Sequence, residues 1–123
     1  MSASIPRLPD AELEVMQALW ACEPPAARSD IETELARPMA PTTLLTLLTR
    51  LGEKDFLTVE KEGRKCLYTP AVAEKDYVSA QGKTFFRKLC GGSVSAFASA
   101  LCDSGLSKEE LSELRRLLEE DAL

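Results

Sequence analysis

Ala40-Pro41-Thr42-Thr43-Leu44-Leu45-Thr46-Leu47-Leu48-Thr49-Arg50-Leu51 is the stretch whose reading decides the fold. Leu44, Leu47, Leu48 and Leu51 fall at i, i+3, i+4 and i+7, one apolar arc of a helix that packs inward. Pro41 suits the first helical position, where its missing N–H costs nothing. The helix is expected to run to about Lys54. Its opposite arc holds Thr42, Thr46 and Thr49, flanked by Thr43, Leu45 and Arg50. An ordinary solvated face carries Lys and Glu. Hydroxyls can bond to phosphates and base edges, and methyl groups can meet the thymine methyl.

The residues downstream sharpen this. Phe56-Leu57-Thr58-Val59-Glu60-Lys61 has strand composition, Glu62-Gly63 is a turn, and Arg64-Lys65-Cys66-Leu67-Tyr68-Thr69 is a second strand stopped by Pro70. A helix running straight into a hairpin with a basic tip, Lys61, Arg64 and Lys65, is the end of a winged helix-turn-helix. The alternative is an amphipathic helix packed on a hairpin in an unrelated α+β domain.

Upstream, Asp10 is a good N-cap for a first helix reaching about Ala21. Leu13, Met16 and Trp20 lie at i, i+3 and i+7, and Trp20, the only tryptophan, is expected to anchor the core. Glu23-Pro24-Pro25 ends that helix. Ser29-Asp30-Ile31-Glu32 reads as a capping box opening a second helix through about Ala36. Arg37-Pro38-Met39-Ala40 is the turn before the third.

Residues 71–123 show no strand pattern. Ala73 to Leu89 reads as a long helix, with Val78, Phe85, Phe86 and Leu89 as apolar positions, broken at Cys90-Gly91-Gly92. Ser93 to about Asp103 is a small-residue helix containing Val94, Phe97, Ala98 and Leu101, with Gly105 suited to its end. Ser107-Lys108-Glu109-Glu110 is a second capping box. It opens a last helix with Leu111, Leu114, Leu117 and Leu118 as its stripe. About 50 residues make a poor core alone, so two copies packed together are expected. The expected fold is mainly α with a small β-hairpin wing: a winged-helix DNA-binding domain over 1–70 and a helical dimerisation domain over 71–123.

The net charge of −5 over 123 residues counts against a nucleic-acid partner. Its distribution matters more than its sum. Over residues 36–70, Arg37, Arg50, Lys54, Lys61, Arg64 and Lys65 outnumber Glu53, Asp55, Glu60 and Glu62. An acidic body with a mildly basic edge suppresses non-specific DNA binding, and the modest affinity per subunit asks for a dimer. No run of 18 apolar residues is present, and Met1-Ser2-Ala3-Ser4-Ile5-Pro6-Arg7 reads as a polar arm without a signal core. The expected location is the cytoplasm. Cys22, Cys66, Cys90 and Cys102 are far apart with no C-x-x-C pair, and the chain has no histidine. Zinc is not expected, and the thiols are expected to be reduced and mostly buried. With no histidine, nucleophile–base pair or phosphate-binding glycine loop, no enzyme and no cofactor are expected.

Taken in order, several segments resemble the BlaI/MecI penicillinase-repressor family of bacterial winged-helix regulators, to which the copper-responsive CopY branch is related. They are Glu12-Leu13-Glu14-Val15-Met16 and Leu19-Trp20, then Thr43, Thr46, Leu47 and Thr49-Arg50-Leu51. Lys83-Thr84-Phe85, Lys88-Leu89-Cys90-Gly91-Gly92 and Leu106-Ser107-Lys108-Glu109-Glu110-Leu111 complete the set. The likeness spans about Leu8 to Glu120. It implies a homodimeric transcriptional repressor on an inverted-repeat operator, held together by its C-terminal helices. Family members commonly govern β-lactam resistance genes and are released when a sensor-linked membrane metalloprotease cuts them. This chain departs from the family in three places. The Asn-Phe cleavage pair is replaced by Ala100-Leu101, the terminal Glu119-Glu120-Asp121-Ala122-Leu123 lacks the cysteines of the copper sensors, and Thr42 and Leu45 stand where Lys and Arg are usual.

The candidate DNA contacts are Thr43 and Thr46, then Thr42 and Leu45. Arg50 is expected on a phosphate, or paired with Glu53 or Glu14, and Lys61, Arg64 and Lys65 on backbone phosphates. Phe85, Phe97, Leu111, Leu114, Leu117 and Leu118 are the candidates for the dimer core, with packing inside one chain as the alternative. Two other functions fit less of the pattern: a protein-binding winged-helix adaptor, and a thiol-based redox regulator using Cys66 or Cys90.

Overall fold

The computed structural model describes residues 5–121. The arm expected at Met1 to Ser4 and the terminal Ala122 and Leu123 lie outside the described residues. Three helices, α1 (Asp10–Trp20), α2 (Arg28–Glu34) and α3 (Pro41–Glu53), precede a hairpin. A short strand β1 (Ala26–Ala27) joins β2 (Leu57–Glu62) and β3 (Lys65–Pro70) in one antiparallel sheet of order β1-β3-β2. Then come α4 (Glu74–Thr84), a π turn (Phe85–Leu89), α5 (Val94–Asp103) and α6 (Lys108–Asp121). Mainly helical with a small wing, this is the winged helix-turn-helix expected.

The core of the head follows the leucine arc. Leu44, Leu47, Leu48 and Leu51 of α3 are buried with Val15, Met16 and Leu19 of α1, Ile31 of α2 and Phe56 and Leu57 at the base of the wing. The inward face of α1 is set by Val15, Met16 and Leu19, with Leu13 and Trp20 only half-buried at its rim. Trp20 therefore packs against the core from its rim rather than at its centre. Its indole N–H donates to the Val72 carbonyl at 2.9 Å, which ties the helix end to the segment after the wing.

Capping differs from expectation at the first two helices. Asp10 is the first helical residue of α1 rather than its cap, with Pro9 outside it. In α2 the helix begins at Arg28, so Ser29 lies within it, and the Asp30 carboxylate accepts from the Ala27 N–H at 3.0 Å. An acidic side chain satisfies an orphan backbone donor as well as a hydroxyl does. The box at α6 forms in full: Ser107 Oγ accepts from the Glu110 N–H at 3.1 Å, and Glu110 Oε1 from the Ser107 N–H at 2.9 Å.

The hairpin turns at Gly63-Arg64, one residue later than expected, with Glu62 opposite Lys65. Gly63, at φ +66°, supplies the left-handed geometry that such a two-residue loop demands. Pro70 closes β3 opposite Leu57. A proline tolerates this because it ends the strand.

The first compact unit extends through Gln81. Tyr77 explains why the early turns of α4 belong to it. That ring is 4% exposed, and its hydroxyl accepts the Leu8 N–H at 2.9 Å. It meets Trp20 and Phe56 at centroid distances of 5.8 and 5.9 Å. The second unit begins at Gly82. In it, Phe97 of α5 meets Phe85 and Phe86 edge-on at 5.8 and 5.7 Å, yet none of its described residues is buried. Among the described residues no helix is long and apolar enough to cross a membrane.

Candidate nucleic-acid interface

The outward face of α3 is presented to solvent. Thr42, Thr43, Thr46, Thr49 and Arg50 are exposed, and Leu45 among them is 41% exposed. The hydroxyls are not all free. Thr46 Oγ1 donates to the Thr42 carbonyl and Thr49 Oγ1 to the Leu45 carbonyl, each at 2.9 Å. A hydroxyl has one proton, so in this arrangement Thr46 and Thr49 have none to give a phosphate. Hydroxyl donation from this face belongs to Thr42 and Thr43, whose side chains make no such bond among the described residues.

Arg50 is not held by Glu14, because Arg37 is. The Arg37 guanidinium grips Glu14 through two bonds of 3.0 and 2.8 Å. That hydrogen-bonded pairing holds the Glu14 carboxyl below the usual carboxylate range. Arg50 forms no ion pair among the described residues, with Glu53 or any other carboxylate. Lys54 behaves differently. Its ammonium meets Glu12, whose side chain is only 5% exposed, so it neutralises a nearly buried carboxylate rather than contributing to the surface field. Removing it leaves that carboxylate uncompensated, an expensive state.

Lys61, Arg64 and Lys65 of the wing are all exposed and without ion pairs among the described residues. Two of them converge with the reading helix. A cleft of about 370 Å³ opens between the start of α2, α3 and the wing, lined by Arg28, Ser29, Leu45, Arg64, Lys65 and Cys66 among others. Arg28 is a third cation here that the sequence did not flag. It arrives because Ala27 pairs with Leu67 across β1 and β3, and a two-alanine strand has no pattern to read. At the same cleft, burial pushes the Tyr68 phenol above its ordinary range. The neighbouring Cys66 adds to this and Arg28 partly opposes it.

No cysteine is buried: Cys22, Cys66 and Cys90 are half-buried, Cys102 is exposed, and all four are free. This corrects the expectation of mostly buried thiols. Cys22 lies away from the reading face, where its thiol donates to the Ala18 carbonyl at 3.3 Å and burial raises its pKa, with Glu34 and Asp30 reinforcing.

Of the candidate dimer residues, Phe97, Leu111 and Leu114 are half-buried, while Phe85, Leu117 and Leu118 are 36%, 40% and 57% exposed. Phe85 and Phe97 also pack on each other within the chain. Leu111, Leu114 and Leu118 share one face of α6 and line an open apolar depression with Arg115 and Glu119.

Comparison with known proteins places this arrangement. The sequence profile of the penicillinase repressor family matches residues 8–120. The penicillinase repressor of Bacillus licheniformis is 35% identical over 119 residues, covering 94% of this chain and 92% of that protein. The methicillin resistance regulatory protein MecI of Mammaliicoccus sciuri is 34% identical over 110 residues, covering 88% of this chain and 89% of that one. Among solved structures, the monomeric form of Bacillus licheniformis BlaI in complex with the blaP half-operator is similar to 59% of this chain and covers 90% of its own. The TM-score is 0.49 and the identity 40%.

Proposed function

The chain belongs to the penicillinase repressor family, and on that premise we propose that it represses transcription as a homodimer bound to an inverted-repeat operator. The carrying observation is the outward face of α3: threonines, one leucine and one arginine, beside a wing with three cations, all four charges without ion pairs among the described residues. In this reading α3 enters the major groove. Thr42, Thr43, Leu45 and Thr46 meet bases or nearby backbone, and Arg50, Lys61, Arg64 and Lys65 neutralise phosphates.

The exposure of the second unit supports the pairing of two copies. Leu117, Leu118, Leu89 and Val94 leave large apolar surface in water, which a partner copy removes at a gain of roughly 25 cal/mol per Å². A symmetric dimer sets two reading helices against successive major grooves, and the pair blocks polymerase by occupying the promoter. Such a protein works in the cytoplasm. Two relatives are named for penicillinase and methicillin resistance, so the regulated genes are assigned to that class. A sensor-linked membrane metalloprotease as the release signal fits less well. Ala100 and Leu101 lie within α5, half-buried, so a protease would first have to unwind the helix.

The test is a mobility-shift titration against the DNA upstream of the protein's own gene at two salt concentrations. Saturable, sequence-selective shifts that weaken steeply with salt are expected. Equal affinity for unrelated duplexes would overturn the reading, and no binding at all would overturn it in favour of the protein-binding adaptor to which the net charge of −5 points.

A further inference from the structure

We infer that the centre of α3 selects operator half-sites through thymine methyl groups, with Leu45 as the specificity-determining residue. This rests on the repressor reading above and deepens it.

The argument starts from which groups the centre of the face can offer. Leu45, 41% exposed, brings only carbon. Thr46 and Thr49 have committed their hydroxyl protons to the Thr42 and Leu45 carbonyls at 2.9 Å. Each keeps a methyl group and an oxygen lone pair for a ligand. The middle of the face is therefore rich in carbon, able to accept and unable to donate. Donors lie only toward its ends, at Thr42, Thr43 and Arg50.

The major groove sorts base pairs by these same properties. Guanine presents two acceptors, N7 and O6, and needs a donor. Thymine presents a methyl group, and its adenine partner an N6 amino donor. Against Leu45, Thr46 and Thr49 a guanine loses water and gains no partner, which is costly. An A·T pair matches on both strands: the thymine methyl against the leucine, the adenine amino group toward a threonine oxygen. Leu45 also borders the cleft holding Arg64 and Lys65. A duplex seated on the leucine thus keeps its backbone within reach of cations.

The experiment uses the full chain and a duplex selected by it from a random pool. The inference expects thymine at fixed positions in both half-sites. Replacing those thymines by deoxyuridine removes only the methyl groups. Affinity should fall about fourfold per half-site, about 15-fold for the symmetric duplex, and Leu45→Ala should bind both duplexes equally. Selected half-sites without fixed thymines overturn the inference, as does a wild-type chain that binds the two duplexes equally. So does a Leu45→Ala chain that still discriminates. In each of these cases selective DNA binding survives, so the repressor reading stands. Failure to enrich any duplex ends both.

Discussion

Replacing Tyr77 by phenylalanine tests whether α4 begins inside the head. The tyrosine hydroxyl is the acceptor for the Leu8 N–H at 2.9 Å, and Leu8 is 1% exposed. Tyr77→Phe keeps the ring against Trp20 and Phe56 but strands a buried amide with no route to water. The cost of such an orphan is about 1–3 kcal/mol. With a urea slope of about 1–1.5 kcal/mol per molar, suited to a unit of this size, a loss near 2 kcal/mol lowers the midpoint by about 1.5 M. Tyr77→Ala removes the aromatic edges as well and should cost about 3–5 kcal/mol. Fluorescence of Trp20, the only tryptophan, reports the head alone, since its ring lies 5.8 Å from Tyr77. Both variants are compared at one protein concentration, because association shifts midpoints by mass action. A Tyr77→Phe midpoint within about 0.2 M of wild type would refute the reasoning, since the 1–3 kcal/mol penalty would then be absent.

Three further outcomes follow from particular contacts. The Glu14 carboxyl is lowered by Arg37, so its contribution is present at neutral pH and lost as pH falls through the lowered folded value. Arg37→Gln should flatten the decline of Tm between about pH 5 and pH 2, and an unchanged acid limb would contradict this. Ser107→Ala removes the oxygen that accepts the Glu110 N–H and should cost about 1 kcal/mol in the unfolding of the second unit, read by far-ultraviolet dichroism. Arg64→Ala should reduce the slope of log affinity against log salt by about one unit per half-site, about two for the dimer on its full operator, without changing operator preference, whereas a steep loss confined to one sequence would give Arg64 a base contact instead.

The parts of the fold legible in the sequence were those with strong local signals. The leucine arc of α3 is two turns of uninterrupted 3.6 periodicity, and all four leucines are buried. The hairpin announced itself by strand composition around one glycine, and the Ser107 box by two side chains spaced to serve each other. Trp20 misled because hydrophobicity alone does not distinguish a rim from a core. A tryptophan that must satisfy its N–H settles where the Val72 carbonyl is reachable. Ser29 misled because two side chains able to cap, Ser29 and Asp30, stand together, and Asp30 took the Ala27 N–H. The place of Tyr77 and of strand β1 could not be read, since both depend on partners 69 and about 40 residues away in sequence rather than on their own neighbourhood.

At the reading face, exposure was legible and hydrogen-bond direction was not. Which threonines keep a proton for a ligand depends on side-chain rotamers, which residue types do not reveal. Arg28 was hidden for a related reason: its neighbours in the cleft come from α3 and the wing.

Hydroxyl-radical footprinting of the full chain on its upstream DNA, with the native mass of the complex measured alongside, tests most directly that two copies present α3 symmetrically. The account predicts two chains per duplex and two protected patches related by two-fold symmetry, centred about 34–36 Å apart or a multiple of that. A single patch with one chain bound, or protection without symmetry, would contradict it.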